Sequence, residues 1–387
     1  MVQRFIEDFF YNQIKKNKSI LLLGPRQTGK TTLIKTLKAH LYINFSLTQE
    51  RRRFEKNPDL IINEIEALSG KNLIVIIDEI QKVPAILDPI QSLIDEKKAS
   101  FILTGSSARK LRRQSDINLL PGRVVSLRMD PFMNSEFNQD IDTHLIYGSL
   151  PGIAILQDLK QKNIELRSYV DTYLEEEVRS EALVRNLPAF YRFLEMAALE
   201  SGKIISFNAI SQSIGVAHTT VSSYYQILED CLLVERVDPI YESASRKKLT
   251  KSSKYLFFDS GVRRMAADEG PKLGATRKGE LFESFVGLEL IRESRLKLST
   301  RIHFWRDPDG PEIDWVIKSE GKYTPIEVKI SEHPSKKDIK HLKTFMQEYP
   351  CSQGAYVICT APRRFKIEKD ITAIPWQEIS KLMESFK

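Results

Sequence analysis

A glycine-rich loop that carries a lysine and a threonine, GPRQTGKT over residues 24–31, directly follows the apolar run 20–23. In this pattern a buried strand ends in a glycine turn, a helix begins, and the loop N–H groups surround phosphate oxygens. Lys30 would reach the β- and γ-phosphates of a nucleotide, and Thr31 would hold Mg²⁺. The sequence therefore predicts a nucleotide site formed by Gly24, Pro25, Arg26, Gln27, Thr28, Gly29, Lys30, Thr31 and Thr32.

An acidic pair follows a second apolar strand pattern at a distance that suits the same site. The run 73–77 ends in Asp78 and Glu79, and the carboxyl ends of parallel strands face the ligand crevice of a doubly wound sheet. Asp78 can hold the water shell of the metal, and Glu79 can act as the base that orients the attacking water. Alone, an apolar run followed by Asp-Glu is also a common helix-cap signal.

Two further polar residues are candidates for the same chemistry. Thr104 ends the strand pattern 101–103. Its hydroxyl either hydrogen-bonds the γ-phosphate or the water, as the residue called sensor 1 does in AAA-type ATPases, or belongs to an ordinary strand-end turn. Arg123 follows a Pro-Gly turn and precedes the strand pattern 124–127. It is either an arginine finger that stabilises transition-state charge in a neighbouring subunit or a plain surface arginine.

A second set of charged residues lies toward the C-terminal end of the chain. Asp314 falls on a strand pattern, and Glu327 and Lys329 fall two residues apart on the next one, which places them on one face. Asp314 and Glu327 would bind Mg²⁺. Lys329 would position or activate water, and Glu283 on the preceding helix would complete the acidic pocket. The layout fits the PD-(D/E)XK nuclease core, and a degenerate nuclease fold retained for binding is the competing interpretation.

Alternating strand and helix patterns predict the elements that position these residues. Over about residues 1–136 they predict a parallel sheet with helices on both faces, with strands near 20–23, 41–45, 73–77, 101–104 and 124–127. A helical stretch over 148–199 follows, and Tyr169 is expected in its core. From about residue 276 the patterns predict a helix over 278–292, two strands joined by a turn at 307–310, a third strand over 323–330, a helix over 336–349 and a strand over 355–359. The second of the two joined strands covers 313–318.

Residues 204–258 have the pattern of a winged helix-turn-helix. A short helix over 207–214, a turn at Gly215 and a second helix over 217–228 precede two strand patterns, 232–237 and 254–258. Winged helices either read DNA or serve only to join domains, and both interpretations stay open. In a DNA reader the second helix would present five residues to the groove: His218, Thr219, Thr220, Ser222 and Ser223.

Composition restricts the class of protein. The 387 residues are 42% hydrophobic and 28% charged, the balance of a globular protein long enough for two or three domains. No apolar run approaches membrane-spanning length, residues 1–18 lack a signal peptide pattern, and the three cysteines lack metal-ligand spacing. We therefore expect a cytoplasmic protein that does not act at a membrane.

The net charge of +7 suits a nucleic-acid partner. Basic residues cluster at 15–18, at 51–53, at 109–113 and in a run over 246–254 that ends in Lys254. Because charge runs are usually solvated faces, a single cluster says little about a partner. The clusters together add weight to a nucleic-acid partner.

Taken in order, these blocks resemble a large group of bacterial and archaeal ATPases in which an AAA-type domain is fused to a C-terminal region of unknown function. The resemblance covers essentially the whole chain and implies ATP as the nucleotide, with a winged helix and a PD-(D/E)XK-like fold in the C-terminal region. One departure is Trp315, where Phe or a smaller apolar residue is more usual. The motifs that carry the resemblance are GPRQTGKT at 24–31, IIDEIQKVP at 76–84, LTGSS at 103–107, PGR at 121–123, YGSLPGI at 147–153, YVDTYLEEEV at 169–178, YLFFDSGV at 255–262, EIDWVI and IEVK.

These patterns predict an α/β protein with an AAA-like P-loop domain at 1–140, a helical and winged-helix domain at 141–265 and a PD-(D/E)XK-like domain at 270–387. The expected function is hydrolysis of ATP with Mg²⁺, coupled to action on DNA, with a nuclease centre in the last domain. A homo-oligomeric ring, such as a hexamer, is expected from the arginine finger. The competing class is a nucleotide-dependent switch or scaffold that binds DNA or protein and cuts nothing.

Overall fold

An N-terminal parallel sheet, a helical region and a mixed α/β region follow one another along the chain. The computed structural model describes residues 2–107, 120, 122–174, 186–240, 252–307 and 310–387. Among the described helices, none has both the length and the apolar composition needed to cross a membrane. The predicted fold class is confirmed, because a P-loop-type sheet is followed by helical and α/β regions.

The first sheet has five parallel strands in the order β2-β3-β4-β1-β5. All five strands that the sequence predicts are present. Parallel pairing places the carboxyl ends of β1, β3 and β4 along one edge, so the glycine loop, the acidic pair and Thr104 meet there. The strands are β1 (Ser19–Leu23), β2 (Leu41–Asn44), β3 (Leu73–Asp78), β4 (Ala99–Gly105) and β5 (Val124–Arg128).

Helices cover both faces of this sheet because successive strand side chains point to opposite sides. On one face Leu21, Val75 and Phe101 belong to a core cluster with residues of three helices. On the other face Ile20 and Ile102 belong to a second cluster. The helices are α1 (Glu7–Lys15), α2 (Lys30–Ile34), α3 (Thr48–Lys56), α4 (Leu60–Glu66) and α5 (Leu87–Asp95).

The middle region contains the predicted winged helix-turn-helix. Gly215 ends the first helix in a left-handed conformation with a φ of 72°, and Val221 and Tyr224 of the second helix are buried. Tyr169 is buried in the core of this region, as expected. The elements are α6 (Ile141–Tyr147), α7 (Pro151–Ala154), α8 (Leu159–Ser168), a π-turn (Tyr169–Leu174), α9 (Leu187–Leu199), α10 (Phe207–Ile214), α11 (His218–Asp230), β6 (Val234–Val237), β7 (Lys254–Phe257) and α12 (Ser260–Ala266).

The last region is a six-stranded sheet in the order β12-β13-β11-β10-β9-β8. The predicted helices and strands are present, whereas β12, β13 and the final helix were not predicted. The turn proposed at residues 307–310 lies partly outside the described residues, but β8 and β9 pair antiparallel across it. The elements are α13 (Ala275–Ser294), β8 (Thr300–Arg306), β9 (Glu312–Ser319), β10 (Lys322–Lys329), α14 (Lys340–Glu348), β11 (Ala355–Cys359), β12 (Phe365–Glu368), β13 (Ile371–Pro375) and α15 (Ile379–Glu384).

A group of four charged side chains joins the three regions. Arg295 follows α13 and pairs with Asp130 (Nε–Oδ2 2.6 Å) beyond β5 and with Glu235 (Nη2–Oε1 2.8 Å) on β6. Arg128 at the end of β5 also contacts both carboxylates. Two guanidinium groups therefore share two carboxylates that are at most 12% exposed.

Removal of Arg295 should destabilise the whole chain rather than one region. In Arg295→Met two carboxylates would be left with one guanidinium, and breaking such pairs costs about 3 to 5 kcal/mol. Urea unfolding should show the loss. Arg301→Met is the matched control, because Arg301 is exposed and its acceptors among the described residues are backbone carbonyl oxygens. Equal stability of the two variants would contradict a structural role for the group.

Candidate functional site

Backbone geometry at two glycines shapes the loop at residues 24–31. A Cβ atom at Gly24 would lie 2.3 Å from the carbonyl oxygen of Met129, and Gly29 has a φ of 98°. Lys30 begins α2 and is 5% exposed. Its Nζ donates hydrogen bonds to the carbonyl oxygens of Gly24 (2.7 Å) and Pro25 (2.8 Å). The ammonium group is therefore held against the loop, where the sequence places the phosphates.

Asp78 is the residue at which the loop and the sheet edge meet. Its Oδ2 accepts hydrogen bonds from the hydroxyls of Thr31 (3.0 Å) and Tyr42 (3.1 Å), and its Oδ1 accepts one from Thr104. Burial and the charge of Asp78 raise the pKa of Tyr42 to about 12, so the phenol remains a donor. Neutral donors thus orient this carboxylate without pairing its charge, which suits a ligand of a metal's water shell.

Thr104 connects the two acidic residues. It is fully buried, and its hydroxyl donates to Asp78 and accepts a hydrogen bond from the N–H of Glu79 at 3.2 Å. A threonine hydroxyl has a single proton, and here that proton is used on Asp78. In the structure Thr104 therefore positions Asp78 and the backbone of Glu79. Its direct contact with a γ-phosphate or with water stays a prediction.

Glu79 lies on the wall of the cavity above the loop. Its backbone is left-handed, with a φ of 63°, and its Oε2 accepts a hydrogen bond from the side-chain amide of Gln81 at 2.7 Å. A cavity of about 740 Å³ contains Lys30, Thr31 and Glu79 on one wall. The opposite wall belongs to the middle region and includes Pro151, Gly152, Ile153, Leu156 and Glu165.

Arg123 is not brought to this cavity. It precedes β5, which runs parallel to β1 with Val124 opposite Ser19, so it lies at the other edge of the sheet. Its guanidinium forms a two-point contact with Asp95, at 2.7 Å from Nε to Oδ1 and 3.0 Å from Nη2 to Oδ2. Arg123 therefore cannot reach the loop of its own subunit. A role as a finger for a neighbouring subunit stays a prediction.

Sequence reasoning missed two residues of this site, Tyr42 and Arg4. Arg4 is 9% exposed, and its guanidinium donates to the carbonyl oxygens of Thr28 (2.7 Å) and Asp130 (2.6 Å). It also pairs with Glu136 at 3.1 Å. Neither residue belongs to a recognisable motif. Tyr42 could have been found by its place on the strand before the acidic pair, whereas nothing in the sequence indicates Arg4.

Four acidic residues of the C-terminal region form two pairs. Asp314 lies beside Glu327, and Glu283 and Glu312 both contact Lys254. Glu327 lies opposite Asp314 in the antiparallel register of β9 and β10, which pairs Ile326 with Trp315. Lys329 Nζ contacts Glu327 Oε2 at 2.9 Å. Burial, and then the charge of Glu327, raise the pKa of Asp314 to about 7. The sequence prediction that these three residues form one centre is thus consistent with the contacts.

Glu283 is held by a lysine that the sequence analysis assigned to a basic surface run. Lys254 is 2% exposed, and its Nζ contacts Oε1 of Glu283 (2.9 Å) and Oε1 of Glu312 (3.1 Å). Burial alone would lower the pKa of Lys254, but the neighbouring carboxylates outweigh it and raise the pKa. Lys254 is therefore not part of a solvated face, although the sequence counts it in a basic run. It begins β7, whose four residues are all buried.

Trp315 is accommodated by a glycine on the facing helix. Its side chain is fully buried, and a Cβ atom at Gly287 of α13 would lie 2.3 Å from the indole ring. The indole Nε1 donates to the carbonyl oxygen of Glu283 at 3.1 Å, and Lys254 Nζ lies 5.2 Å from the ring centroid. The large residue at this position is thus compensated by Gly287 and ties α13 to β9.

The C-terminal centre fits a cation through two carboxylates. Across the described ranges, no three His, Cys, Asp or Glu side chains form a group that could hold a metal ion. Asp314 and Glu327 remain as candidate ligands, because Glu283 is engaged by Lys254. Oε1 of Glu327 is buried and has no hydrogen-bond partner in the part of the chain that the structure describes. Mg²⁺ is commonly bound through one or two carboxylates together with waters and phosphates. The donor set therefore suits Mg²⁺ in that mode.

The exposed side of the winged helix is polar. On α11, His218, Thr219, Ser222 and Ser223 are exposed and Thr220 is half-buried. The basic clusters at 15–18 and 51–53 are mainly exposed. Residues 109–113 and 246–251, which contain the other clusters, lie outside the described residues.

Comparisons with known protein families divide the chain into three stretches. Residues 16–138 match the AAA domain family, which supports an AAA-type P-loop ATPase and confirms that part of the resemblance. Residues 138–273 match a domain of unknown function (DUF8612), and residues 278–379 match another (DUF4143). The nuclease-like interpretation of the last region stays a prediction.

Relatives with similarity along most of the chain are described as uncharacterized proteins. Protein Rv2008c of Mycobacterium tuberculosis is 24% identical over 375 residues, which cover 93% of this chain and 80% of the relative. Protein MJ1637 of Methanocaldococcus jannaschii is 22% identical over 419 residues, which cover 95% of this chain and 85% of the relative.

Similarity to solved structures is weak. Cdc6p from Pyrobaculum aerophilum aligns with a TM-score of 0.26 and 13% identity, over 68% of this chain and 92% of that chain. Protein VC1899 from Vibrio cholerae aligns with a TM-score of 0.23 and 12% identity, over 95% of this chain and 98% of that chain. Neither alignment supports an argument about function.

The raised pKa of Asp314 predicts a pH-dependent effect of its replacement. The folded protein keeps this proton up to pH about 7, whereas the unfolded chain loses it near its ordinary value of 3.8. Stability contributed by the group therefore falls as pH rises between these values. In EDTA, Asp314→Asn should raise the melting temperature more at pH 8 than at pH 5, because more of this contribution is lost at pH 8, and the difference corresponds to roughly 2 to 4 kcal/mol in stability.

Asp370→Asn serves as the control, because Asp370 is exposed. Its effect should be small and similar at both pH values. The account of Asp314 would be contradicted by a shift in melting temperature that does not change between pH 5 and pH 8.

Proposed function

We propose that the chain hydrolyses ATP at the cavity above the loop and acts on DNA in the cytoplasm. The observation that carries the proposal is the convergence of Lys30, Thr31 and the Asp78-Glu79 pair on one sheet edge, in a stretch that matches the AAA domain family. The cavity has room for a nucleotide. Phosphates are expected on the wall that contains Lys30 and Thr31.

Each residue has a part in the proposed reaction. The loop N–H groups and Lys30 bind the phosphates and offset their charge. Mg²⁺, when bound, neutralises charge that develops on the transferred phosphoryl group, and Thr31 and Asp78 are the residues that would hold it and its waters. Glu79 orients the attacking water and takes up its proton. Thr104 fixes the Asp78 side chain relative to the Glu79 backbone through its two hydrogen bonds.

The competing function is a nucleotide-dependent switch or scaffold. Such a protein would bind ATP through the same loop, hydrolyse it slowly and show no stimulation by DNA. Glu79 favours turnover, because a carboxylate that faces the cavity beside Lys30 serves the hydrolytic step and is not needed for nucleotide binding. Turnover in the presence of DNA therefore separates the two functions.

DNA as partner is supported by charge and by the middle region. The chain carries a net charge of +7, and proteins that bind nucleic acid use such charge for phosphate contacts. The second helix of the winged helix exposes short polar side chains that can enter a groove. We also propose a homo-oligomeric ring, such as a hexamer, in which Arg123 serves the site of the next subunit, because it cannot serve its own.

A metal-dependent nuclease is the second candidate activity, located at the C-terminal centre. It is favoured by Oε1 of Glu327, which is buried and has no hydrogen-bond partner among the described residues. Glu327 pairs with the half-buried Asp314 and lies next to Lys329. Asp314 and Glu327 would hold the cation, and Lys329 would lie near the scissile phosphate. If Mn²⁺ does not raise the melting temperature and every DNA substrate stays intact, this region is a binding module.

Replacement of Lys30 and of Glu79 should separate nucleotide binding from turnover. Lys30→Ala should lose ATP affinity, because Lys30 offsets phosphate charge in the bound state. Glu79→Gln should keep that affinity and lower kcat by about 10²- to 10⁴-fold, because it acts only on the water. Calorimetry with ATP and phosphate release measure the two effects, and equal loss of affinity in both variants would refute this division of roles.

An added negative charge on α11 should weaken a DNA partner without changing basal turnover. Ser222→Glu places a carboxylate on the exposed side of the helix, where it would repel DNA phosphates. Stimulation of phosphate release by single-stranded, duplex and branched DNA should fall by about 10-fold, the effect of about 1.4 kcal/mol. Gln347→Glu adds the same charge to an exposed position of α14 and should have no effect. Identical responses of both variants would exclude α11 as the contact.

A further inference from the structure

We infer that Gln81 is a positioning residue for the hydrolytic step, because its side-chain amide fixes the direction of the Glu79 carboxylate. The inference rests on the proposed ATP hydrolysis and adds a residue to it. Gln81 lies in the short 3₁₀ turn Ile80–Lys82 that follows the acidic pair, and it is 5% exposed. No role in the predicted site was assigned to it, although it lies within the motif IIDEIQKVP.

Both hydrogens of the Gln81 amide have acceptors. Nε2 donates to Oε2 of Glu79 at 2.7 Å and to Oγ of Ser106 at 3.0 Å. The chemistry of the neighbours fixes the orientation of the amide, since an ionised carboxylate accepts and cannot donate. Ser106 is itself buried and follows the end of β4. Glu79 is thus tied through one side chain to the neighbouring strand.

The other atom of the amide gives an independent reason to assign a function. Among the described residues, no group donates a hydrogen bond to the buried Gln81 Oε1, and leaving a polar atom in that state costs about 1 to 3 kcal/mol. This cost offsets much of what the two hydrogen bonds of Nε2 contribute to stability. The amide is explained by what its nitrogen does, which is to hold a carboxylate at the cavity.

Space for the amide depends on a glycine. A Cβ atom at Gly105 would lie 2.9 Å from Gln81 Oε1 and 3.3 Å from a methyl group of Leu23. Since Gln81 is enclosed by the strand end, it has little room to move away. Gly105 in the motif LTGSS is therefore part of the same arrangement.

Glu79 is held at both its backbone and its side chain by the end of β4. Its N–H donates to Thr104, in a left-handed backbone conformation that directs the side chain along the cavity wall. With Oε2 bound by Gln81, Oε1 is the oxygen that accepts a proton from water.

The test compares Gln81→Ala and Gln81→Glu with wild type by steady-state ATP hydrolysis over pH 5 to 9, without nucleic acid. Gln81→Ala should lower kcat by about 10- to 100-fold, because the carboxylate loses its orientation, while KM and calorimetric ATP affinity stay within about twofold. Gln81→Glu removes the donor to Oε2 of Glu79 and should lower kcat at least as much as Gln81→Ala, with ATP affinity again within about twofold.

Two further variants separate positioning from a loss of fold. Gly105→Ala should reproduce the fall in kcat with unchanged ATP affinity, because its methyl group displaces the amide. Gln226→Ala removes a similar contact, from Gln226 Nε2 to Asp230 Oδ1 at 3.1 Å on α11, and should hydrolyse ATP at the wild-type rate.

The inference is overturned if Gln81→Ala keeps the wild-type kcat, or if kcat and ATP affinity fall together in the Gln81 variants. If Glu79→Gln stops turnover while Gln81 variants are unaffected, the proposed function stands and only the role of Gln81 fails. If wild type hydrolyses no ATP, or Glu79→Gln hydrolyses it at the wild-type rate, the proposed function fails and the inference fails with it.

Discussion

Parallel pairing of β1, β4 and β3 is the constraint on which the candidate site depends. It brings three strand ends to one edge of the sheet, and each end contributes a different chemical group: the phosphate loop, the hydroxyl of Thr104 and the acidic pair. The hydroxyl completes the arrangement, since it contacts Asp78 and the backbone of Glu79 at once. A shift in register of one residue would turn these side chains to the opposite face of the sheet.

The same edge is connected to the rest of the chain by charged side chains. Arg4 joins the carbonyl oxygen of Thr28 in the loop to that of Asp130 beyond β5. The side chain of Asp130 in turn pairs with Arg295 after α13, and Arg295 pairs with Glu235 on the wing. A continuous set of contacts therefore leads from the phosphate loop to the middle region and to the last region. Residues of α7 and α8 also form part of the cavity wall. The candidate nucleotide site is therefore built from the first sheet and the middle region together.

The sequence predicted what depends on local pattern. Strands β1 to β5, the helix-turn-helix and the strands that bear Asp314 and Glu327 follow from apolar runs and turn residues, and the AAA part of the resemblance agrees with the family match. It failed where function depends on contacts across distant parts of the chain. Lys254 looks like one residue of a basic run, and only the pairing of β7 with β6 shows that it is buried against Glu283.

Other residues of the site also act through contacts between distant parts of the chain. The contacts of Arg4 and Tyr42 join residues that are 24 and 36 positions apart. The role of Gln81 depends on the space left by Gly105 and on Ser106, and sequence spacing does not reveal either. Conversely, the motifs predicted the positions of Lys30, Asp78 and Glu79, because strand, loop and acidic pair are each local signals.

A crystal structure of the protein with Mg²⁺, ADP and beryllium fluoride would test the central claim most directly. The account predicts the fluoride group at Lys30 Nζ, the metal beside Thr31 with Asp78 in its water shell, and Glu79 facing the fluoride group across a single water. The nucleotide would lie between the loop and the wall at 151–156. Nucleotide bound elsewhere, or bound in the loop with Glu79 turned out of the cavity, would contradict it.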